Sequence, residues 1–348
     1  LDKGHIISET SLELFSRWLQ SRDYSRVFIL VDENTRKHCL PILLNEVSSL
    51  INSHIIQISS GEGAKVITSC EYIWSELLEN KADRKSLIIN LGGGVLTDLG
   101  GFASSLFKRG LYFVNIPTTL IGMVDAAIGG KNGVNFKSLK NQVGVFATAE
   151  NVVVYKKFLS TLPQNQLVSG FAEMLKYGLI LDQDLWKSLS ALDAVNLINI
   201  DLKLIERCLA LKNSIVQKDF YEENYRRILN FGHTVGHALE THSFGGMELS
   251  HGEAVAHGMI VECILSNQLG LLPGNILDEI KAVIGRNYSK PDLNTSDFDK
   301  LYEIMSFDKK NQNTVVNFTL LKSIGEAQID NYISKKEIIK SLEEFIKS

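Results

Sequence analysis

What this 348-residue chain lacks narrows its chemistry before any motif is read. It has no excess of positive charge: 36 Lys and Arg stand against 40 Asp and Glu, for a formal net charge of −4 and a pI near 6.1. A surface without an overall basic field is poorly suited to a nucleic-acid partner, so any anionic ligand has to be met by a local cluster of cations. There are only four cysteines, Cys39, Cys70, Cys208 and Cys263, with no Cys-x-x-Cys pair among them. Such spacing gives neither a zinc ribbon nor a disulfide framework, and four buried reduced thiols is the simpler expectation. No run of about 18 apolar residues occurs, the length a bilayer-crossing helix needs. The Leu-Asp-Lys-Gly-His start shows no charged region followed by an apolar one. A cytoplasmic protein without a membrane partner is therefore expected. Internal repeats and low-complexity linkers are absent as well, and so is the Gly-x-Gly-x-x-Gly spacing of an ordinary dinucleotide loop.

What is present suffices for a large core, because 45% of the residues are hydrophobic, and the length favours two domains over one. The first part alternates short β-branched runs with helical-period stretches, the pattern of a parallel sheet covered by helices. Arg26–Val31, His54–Ile58, Ser86–Leu91 and Tyr112–Ile116 read as strands, and Lys65–Ala82 as an amphipathic crossover helix. After Thr161-Leu-Pro163 the pattern turns to long helical windows: Gln164–Leu179, Leu202–Gln217, Arg226–His242 and Gly252–Leu269. A small hairpin, Thr314–Leu321 with Glu326–Ile329, and a helix from Lys335 close the chain. The expected organisation is an α/β domain over 1–162 and a mainly α-helical domain over 163–348.

Strand Ser86–Leu91 runs into Gly92-Gly93-Gly94-Val95 and then into a helical window opening near Asp98. Glycines let backbone approach a pyrophosphate, and free N–H groups at the following helix start complement its charge. Two further strand ends join this one. Ile116-Pro-Thr118-Thr119 offers hydroxyls at a helix start, and Val31-Asp32-Glu-Asn34 puts an acid after the first strand, where a ribose hydroxyl can bind. The nucleotide reading rests on this constellation.

Five of the eight histidines, His233, His237, His242, His251 and His257, fall in one short stretch. In Gly232-His-Thr-Val-Gly-His237 two rings lie four apart on one helix face, with glycines that allow close approach. His251 opens the next helix. Two imidazoles and a carboxylate with one open position form a common catalytic zinc set, and Glu173, beside Lys176 in an apolar helix, is the best carboxylate. Spacing alone does not say which histidines bind. His5, His38, His54, His242 and His257 read as ordinary hydrogen-bonded residues, whereas His233, His237 and His251 read as functional.

In order along the chain, Gly-Gly-Gly-Val-x-x-Asp98, Pro-Thr-Thr-Leu, Asp125-x-x-x-Gly-Gly-Lys131, Lys140-Asn141, Glu173-x-x-Lys176, Leu-Asn230-Phe-Gly-His-Thr-x-Gly-His237 and His251-Gly-Glu resemble the 3-dehydroquinate synthase family. The resemblance spans nearly the whole chain. It implies a homodimer whose subunits each hold NAD in a cleft between an α/β nucleotide-binding domain and a helical metal- and substrate-binding domain. It also implies conversion of 3-deoxy-D-arabino-heptulosonate 7-phosphate to 3-dehydroquinate and phosphate. The steps would be transient oxidation, phosphate elimination, re-reduction, ring opening and intramolecular aldol closure. By the same resemblance Glu173, His233 and His251 bind zinc or cobalt, His237 and Glu222 relay protons, and Lys176 and Asp125 contact substrate hydroxyls. Lys131, Asn141, Asn230 and one of Lys309 or Lys310 match the phosphate side, Lys212 and Arg226 the carboxylate side, and Arg109 reaches in from the second subunit. Asp32, Asn34, Glu62, Lys65, Gly92, Gly93, Gly94, Val95, Asp98, Thr118, Thr119, Lys131, Lys140 and Thr161 match nucleotide positions.

Ala127, Phe220, Asn224 and His257 depart from the family's usual serine, acid, glycine and aliphatic residue, without removing a ligand or proton carrier. Related cyclases acting on other sugar phosphates share the loop and metal set but generally lack equivalents of His237 and Asn230, both present here. Metal-dependent glycerol and alcohol dehydrogenases share the fold but have no use for so many phosphate- and carboxylate-side cations. A catalytically silent scaffold of the same fold would be expected to lose ligands, and none is lost.

Overall fold

The computed structural model describes residues 4–137, 139–242, 249–306 and 315–347; Lys309 and Lys310, expected on the phosphate side, lie outside them. The chain forms two units, one of Leu1–Gln166 with Asp201–Asn213, the other of Leu167–Ile200 with Ser214–Ser348.

In the first unit β1 (Gly4–Ile7), α1 (Ser11–Gln20), β2 (Val27–Asp32), α2 (Glu33–His38), α3 (Leu40–Glu46), β3 (His54–Ile58), α4 (Ile67–Glu79), β4 (Leu87–Gly92), α5 (Gly94–Leu106) and β5 (Tyr112–Pro117) follow one another. The hairpin β6 (Lys131–Phe136) and β7 (Leu139–Phe146) and then β8 (Asn151–Val154) complete it. Six strands make one parallel sheet in the order β1-β8-β5-β4-β2-β3. Every residue of β4 is buried, as a strand covered on both faces requires, so Leu-Ile-Ile-Asn-Leu shows no alternation, and its one polar side chain, Asn90, donates to Asn115 Oδ1 at 2.9 Å. α4 turns Cys70, Ile73 and Leu77 inward at helical spacing onto a core shared with Phe28, Leu30, Ile56, Ile88, Leu96 and Phe102. The strand read as first is the second, since β1 precedes it and pairs with β8. Its four residues are too few to show a period. The helix expected near Asp98 begins at Gly94, so Gly92 ends β4, Gly93 caps the helix and Gly94 opens it, with no loop between.

The second unit holds most of α6 (Gln164–Leu181), α7 (Gln183–Ser190) and the end of α8 (Leu202–Lys218). It continues with α9 (His233–Thr241), α10 (His251–Gln268), α11 (Gly274–Asn287), α12 (Phe298–Ser306), the antiparallel pair β9 (Val315–Ser323) and β10 (Glu326–Ser334), and α13 (Lys335–Lys347). α6 and α10 are buried nearly all round, the state that their lack of a polar stripe demands. The helix expected over Arg226–His242 is broken. A tight turn, Tyr225–Asn230, precedes α9, and between them Gly232 takes φ +79, which interrupts right-handed helix. α9 and α10 touch through glycine: a Cβ on Gly258 would lie 2.0 Å from the Gly232 carbonyl oxygen, and one on Gly236 3.1 Å from that of Ala254.

Candidate functional site

Three side chains from three helices converge in the second unit. Glu173, wholly buried on α6, points Oε1 at Nε2 of His233, 3.4 Å away, and at Nε2 of His251, 3.3 Å away. These donors lie within 4.8 Å of one another. A tetrahedral ion with bonds of about 2.1 Å needs ligand atoms roughly 3.4 Å apart, so the carboxylate-to-imidazole spacings fit zinc or cobalt. The far ring nitrogens are engaged too, His233 Nδ1 at the Phe231 carbonyl (3.1 Å) and His251 Nδ1 at Glu240 Oε2 (3.3 Å). Hydrogen bonds there leave each Nε2 lone pair for a metal.

The electrostatics agree with this geometry. Burial alone would raise the Glu173 acid, but the Lys176 ammonium, 2.5 Å from Oε2, and the His233 ring hold its carboxyl well below the usual range. His233 is lowered, by burial and by Lys176, and so is kept neutral and able to ligate. Burial also works against charge on His251, yet Glu173 and Glu240 outweigh it and raise that ring to about 9. Without a metal, then, this site holds a proton on His251 that a cation must displace. The exposed His237 ring stands 5.2 Å from that of His233 and 6.1 Å from that of His251, one helical turn along α9. His242, bonded to Asp297, and His257, bonded to the Ser289 carbonyl, face elsewhere.

Glu222, Arg226 and Asn230 lie between α8 and α9. Glu222 has φ +59, a left-handed conformation uncommon for a side-chain-bearing residue. Asp219 organises this stretch, accepting the N–H groups of Glu223 (3.0 Å), Asn224 (2.9 Å) and Arg226 (2.9 Å). The buried Arg226 guanidinium donates to the Phe220 carbonyl, 2.7 Å away.

In the first unit the three signalled strand ends take up different work. Gly92 pairs with Pro117 across β4 and β5, Gly93 is the helix cap, and Gly94 and Val95 open α5. The Gly93 backbone passes so close to Thr119 that a Cβ would meet its methyl at 2.9 Å. Thr118 N–H donates to the Gly92 carbonyl (3.0 Å), and the Thr119 hydroxyl accepts Gly122 N–H (3.1 Å). Asp32 caps α2, its carboxylate accepting Thr35 N–H at 2.7 Å, with exposed Asn34 in the same turn. The Thr161 hydroxyl donates to the Phe158 carbonyl (2.7 Å).

Four expected residues join into one hydrogen-bonded chain. The buried Lys65 ammonium donates to Asp98 Oδ2 and to Asn141 Oδ1, both at 2.6 Å. Asn141 N–H in turn donates to Asn135, whose amide donates to Glu62 Oε1 at 2.8 Å. Burial raises the Asp98 acid against the opposing pull of Lys65. Lys212, from the part of α8 in this unit, donates to Asp125 at both its carbonyl (2.6 Å) and its carboxylate (2.8 Å). Lys131 and Lys140 stand exposed on the hairpin, and exposed Arg109 sits in a turn where φ is +50 at Lys108, +67 at Arg109 and +117 at Gly110.

Comparison with known proteins agrees with both units. The family model described as 3-dehydroquinate synthase N-terminal matches residues 55–169, and its C-terminal counterpart matches 170–311. The chain belongs to the 3-dehydroquinate synthase family. A 3-dehydroquinate synthase of Parabacteroides distasonis is 41% identical over 329 residues, covering 94% of this chain and 93% of the relative. One of Campylobacter jejuni is 35% identical over 346 residues, covering 97% and 98%. Among solved structures, 2-epi-5-epi-valiolone synthase from Streptomyces hygroscopicus, with NAD+ and Zn2+ bound, has a TM-score of 0.77 at 27% identity and covers 92% of this chain and 91% of its own. A 2-deoxy-scyllo-inosose synthase reaches 0.86 over 98% and 96%, at 24% identity, and so attests the fold.

Several residues that hold the expected ones in place escaped the sequence reading. Asn135, Asp219, Glu240 and Glu262 each act on a neighbour's backbone or on a ring nitrogen. Only Glu240 carried a usable signal, standing three residues after His237 on a helix face already marked by histidines.

Proposed function

We propose that the chain carries out the reaction of its family, converting 3-deoxy-D-arabino-heptulosonate 7-phosphate to 3-dehydroquinate and phosphate. The observation that carries this reading is the convergence of Glu173, His233 and His251 at metal-ligand spacing, with His237 alongside, in a chain 41% identical to a 3-dehydroquinate synthase over 94% of its length. Bound NAD supplies a hydride acceptor restored within each turnover, and Zn2+ or Co2+ supplies Lewis acidity at substrate hydroxyls.

Glu173, His233 and His251 hold the cation. His237 moves the proton of the ring hydroxyl, with Glu222 as its relay, a task suited to a group titrating near neutral pH. Lys176 and Asp125 orient hydroxyls, while Lys131, Asn141, Asn230 and one of Lys309 or Lys310 bind phosphate. Lys212 and Arg226 bind the carboxylate. On the nucleotide side, Gly92–Val95, Thr118 and Thr119 take the pyrophosphate end. Asp32, Asn34, Glu62, Lys65, Asp98, Lys131, Lys140 and Thr161 line the rest, within residues 1–162, while 163–348 supply the metal.

The active form is a homodimer in which Arg109 serves the neighbouring subunit. Four buried thiols fit the cytoplasm; among the described residues no helix is long and apolar enough to cross a membrane.

The test is incubation with the heptulosonate phosphate, NAD and Zn2+ or Co2+, following phosphate and absorbance of NADH. Phosphate release without net NADH, abolished by a chelator, is expected. Net NADH from glycerol or a simple alcohol without phosphate release would instead make it a dehydrogenase, and silence in both assays would point to a cyclase for another sugar phosphate.

A further inference from the structure

α9 carries His233 at its first position and His237 a turn later, yet it begins without a side-chain cap, because the residue before it is Gly232. The first N–H groups of a helix have no partner within it, and where they are buried an unmet donor is costly. Here the partner comes from α10. Glu262, with no exposed surface, accepts Gly232 N–H on Oε2 at 2.6 Å and Val235 N–H on Oε1 at 3.4 Å. The two contacts fall on either side of His233.

We propose that Glu262 is a positioning residue: it fixes the start of α9 and thereby sets His233 Nε2 for the metal and His237 for proton transfer. This rests on the reading that Glu173, His233 and His251 hold a divalent cation. Among the described residues nothing else accounts for the Glu262 side chain: no cation is paired with it, the Ser266 hydroxyl donates to its backbone carbonyl and not to its carboxyl, and the carboxyl faces the N–H groups at the start of α9. Burial raises the Glu262 acid to about 8, and the N–H groups of Gly232, Val235 and Thr234 at the start of α9 oppose that rise without cancelling it. The Gly232 carbonyl meanwhile lies against Gly258 of the same helix α10, so this end of α9 is gripped at both its N–H and its C=O.

The test is a titration of metal-free protein with Co2+, read by its visible absorption, for the wild type and for Glu262→Gln, Glu262→Leu and His251→Ala. Glu262→Leu should weaken Co2+ binding by roughly 10- to 100-fold and change the band shape, while Glu262→Gln, which keeps an acceptor, should stay within about threefold. Wild-type affinity and spectrum in the Leu variant, or a Gln variant as weak as Leu, would overturn the proposal. A wild-type Co2+ band indifferent to His251→Ala would overturn the metal reading beneath it. Should Glu262→Leu not fold, amide exchange in the metal-free wild type decides. Slow exchange at Gly232 and Val235 is expected, and exchange at open-chain rates would refute the bond.

Discussion

On the proposed reading, the glycine run of the first unit meets its ligand with main chain, whereas the metal site of the second unit uses side chains raised from buried helices. At β4 and α5 the glycine run Gly92–Gly94 lies beside Thr118 and Thr119, and the cations Lys65 and Lys212 are engaged by Asp98, Asn141 and Asp125. At α6, α9 and α10 the surface is one carboxylate and three imidazoles, held by partners behind them. The contrast teaches how each site should fail. A main-chain site is lost when an added atom keeps the ligand away, and a side-chain site when a donor is removed.

The largest effect should come from Glu173→Ala. Loss of a direct ligand should reduce metal affinity by more than the roughly 10- to 100-fold typical of outer partners, with turnover lost in parallel, as metal content after dialysis and phosphate release will show. His237→Ala should cut turnover by about 10²–10⁴-fold with metal still stoichiometric, the loss expected for a general acid–base group; metal loss with turnover retained would reverse that division of roles. Gly93→Ala should weaken NAD by about tenfold, because the new methyl meets Thr119 at 2.9 Å. Co2+ affinity measured on the same variant should not change, and a parallel loss would break the contrast between the units. The remaining lever, a graded one, is pH. His251 sits at about 9 without metal, so it is protonated below that value and the cation must displace the proton. Apparent Co2+ affinity should therefore fall by about tenfold per pH unit as pH drops below 9, with proton release on binding.

Much of the frame was legible because burial leaves a mark on composition. β4, α6 and α10 are mostly apolar where they are enclosed, and the histidine cluster flagged the stretch where His233 and His251 meet Glu173. The short strands β1 and β8 were not, since four residues carry no period, nor was the β6–β7 hairpin, whose second strand is largely exposed. The break in the helix expected over Arg226–His242 hinges on one left-handed glycine, which sequence cannot tell from a packing glycine. Among site residues, identity was readable and pairing was not. Lys65 was placed with the nucleotide and Lys212 with the substrate carboxylate, but their bonds to Asp98 and Asp125 span 33 and 87 positions of chain. The same distance hid Glu262, whose partners are main-chain N–H groups and leave no residue type to search for.

The first unit is not a continuous stretch of chain. Asp201–Asn213 returns to it after a detour, bringing Lys212 to Asp125. A ribosome adding roughly 5–20 residues per second therefore delivers the last piece some seconds after Gln166. During that interval all six strands of the sheet are already made, while Lys212, which donates to Asp125, is not. A gene fragment ending near residue 166 should reproduce that nascent state as a product prone to aggregate, whereas one that also encodes 201–213 gives the first unit everything it keeps.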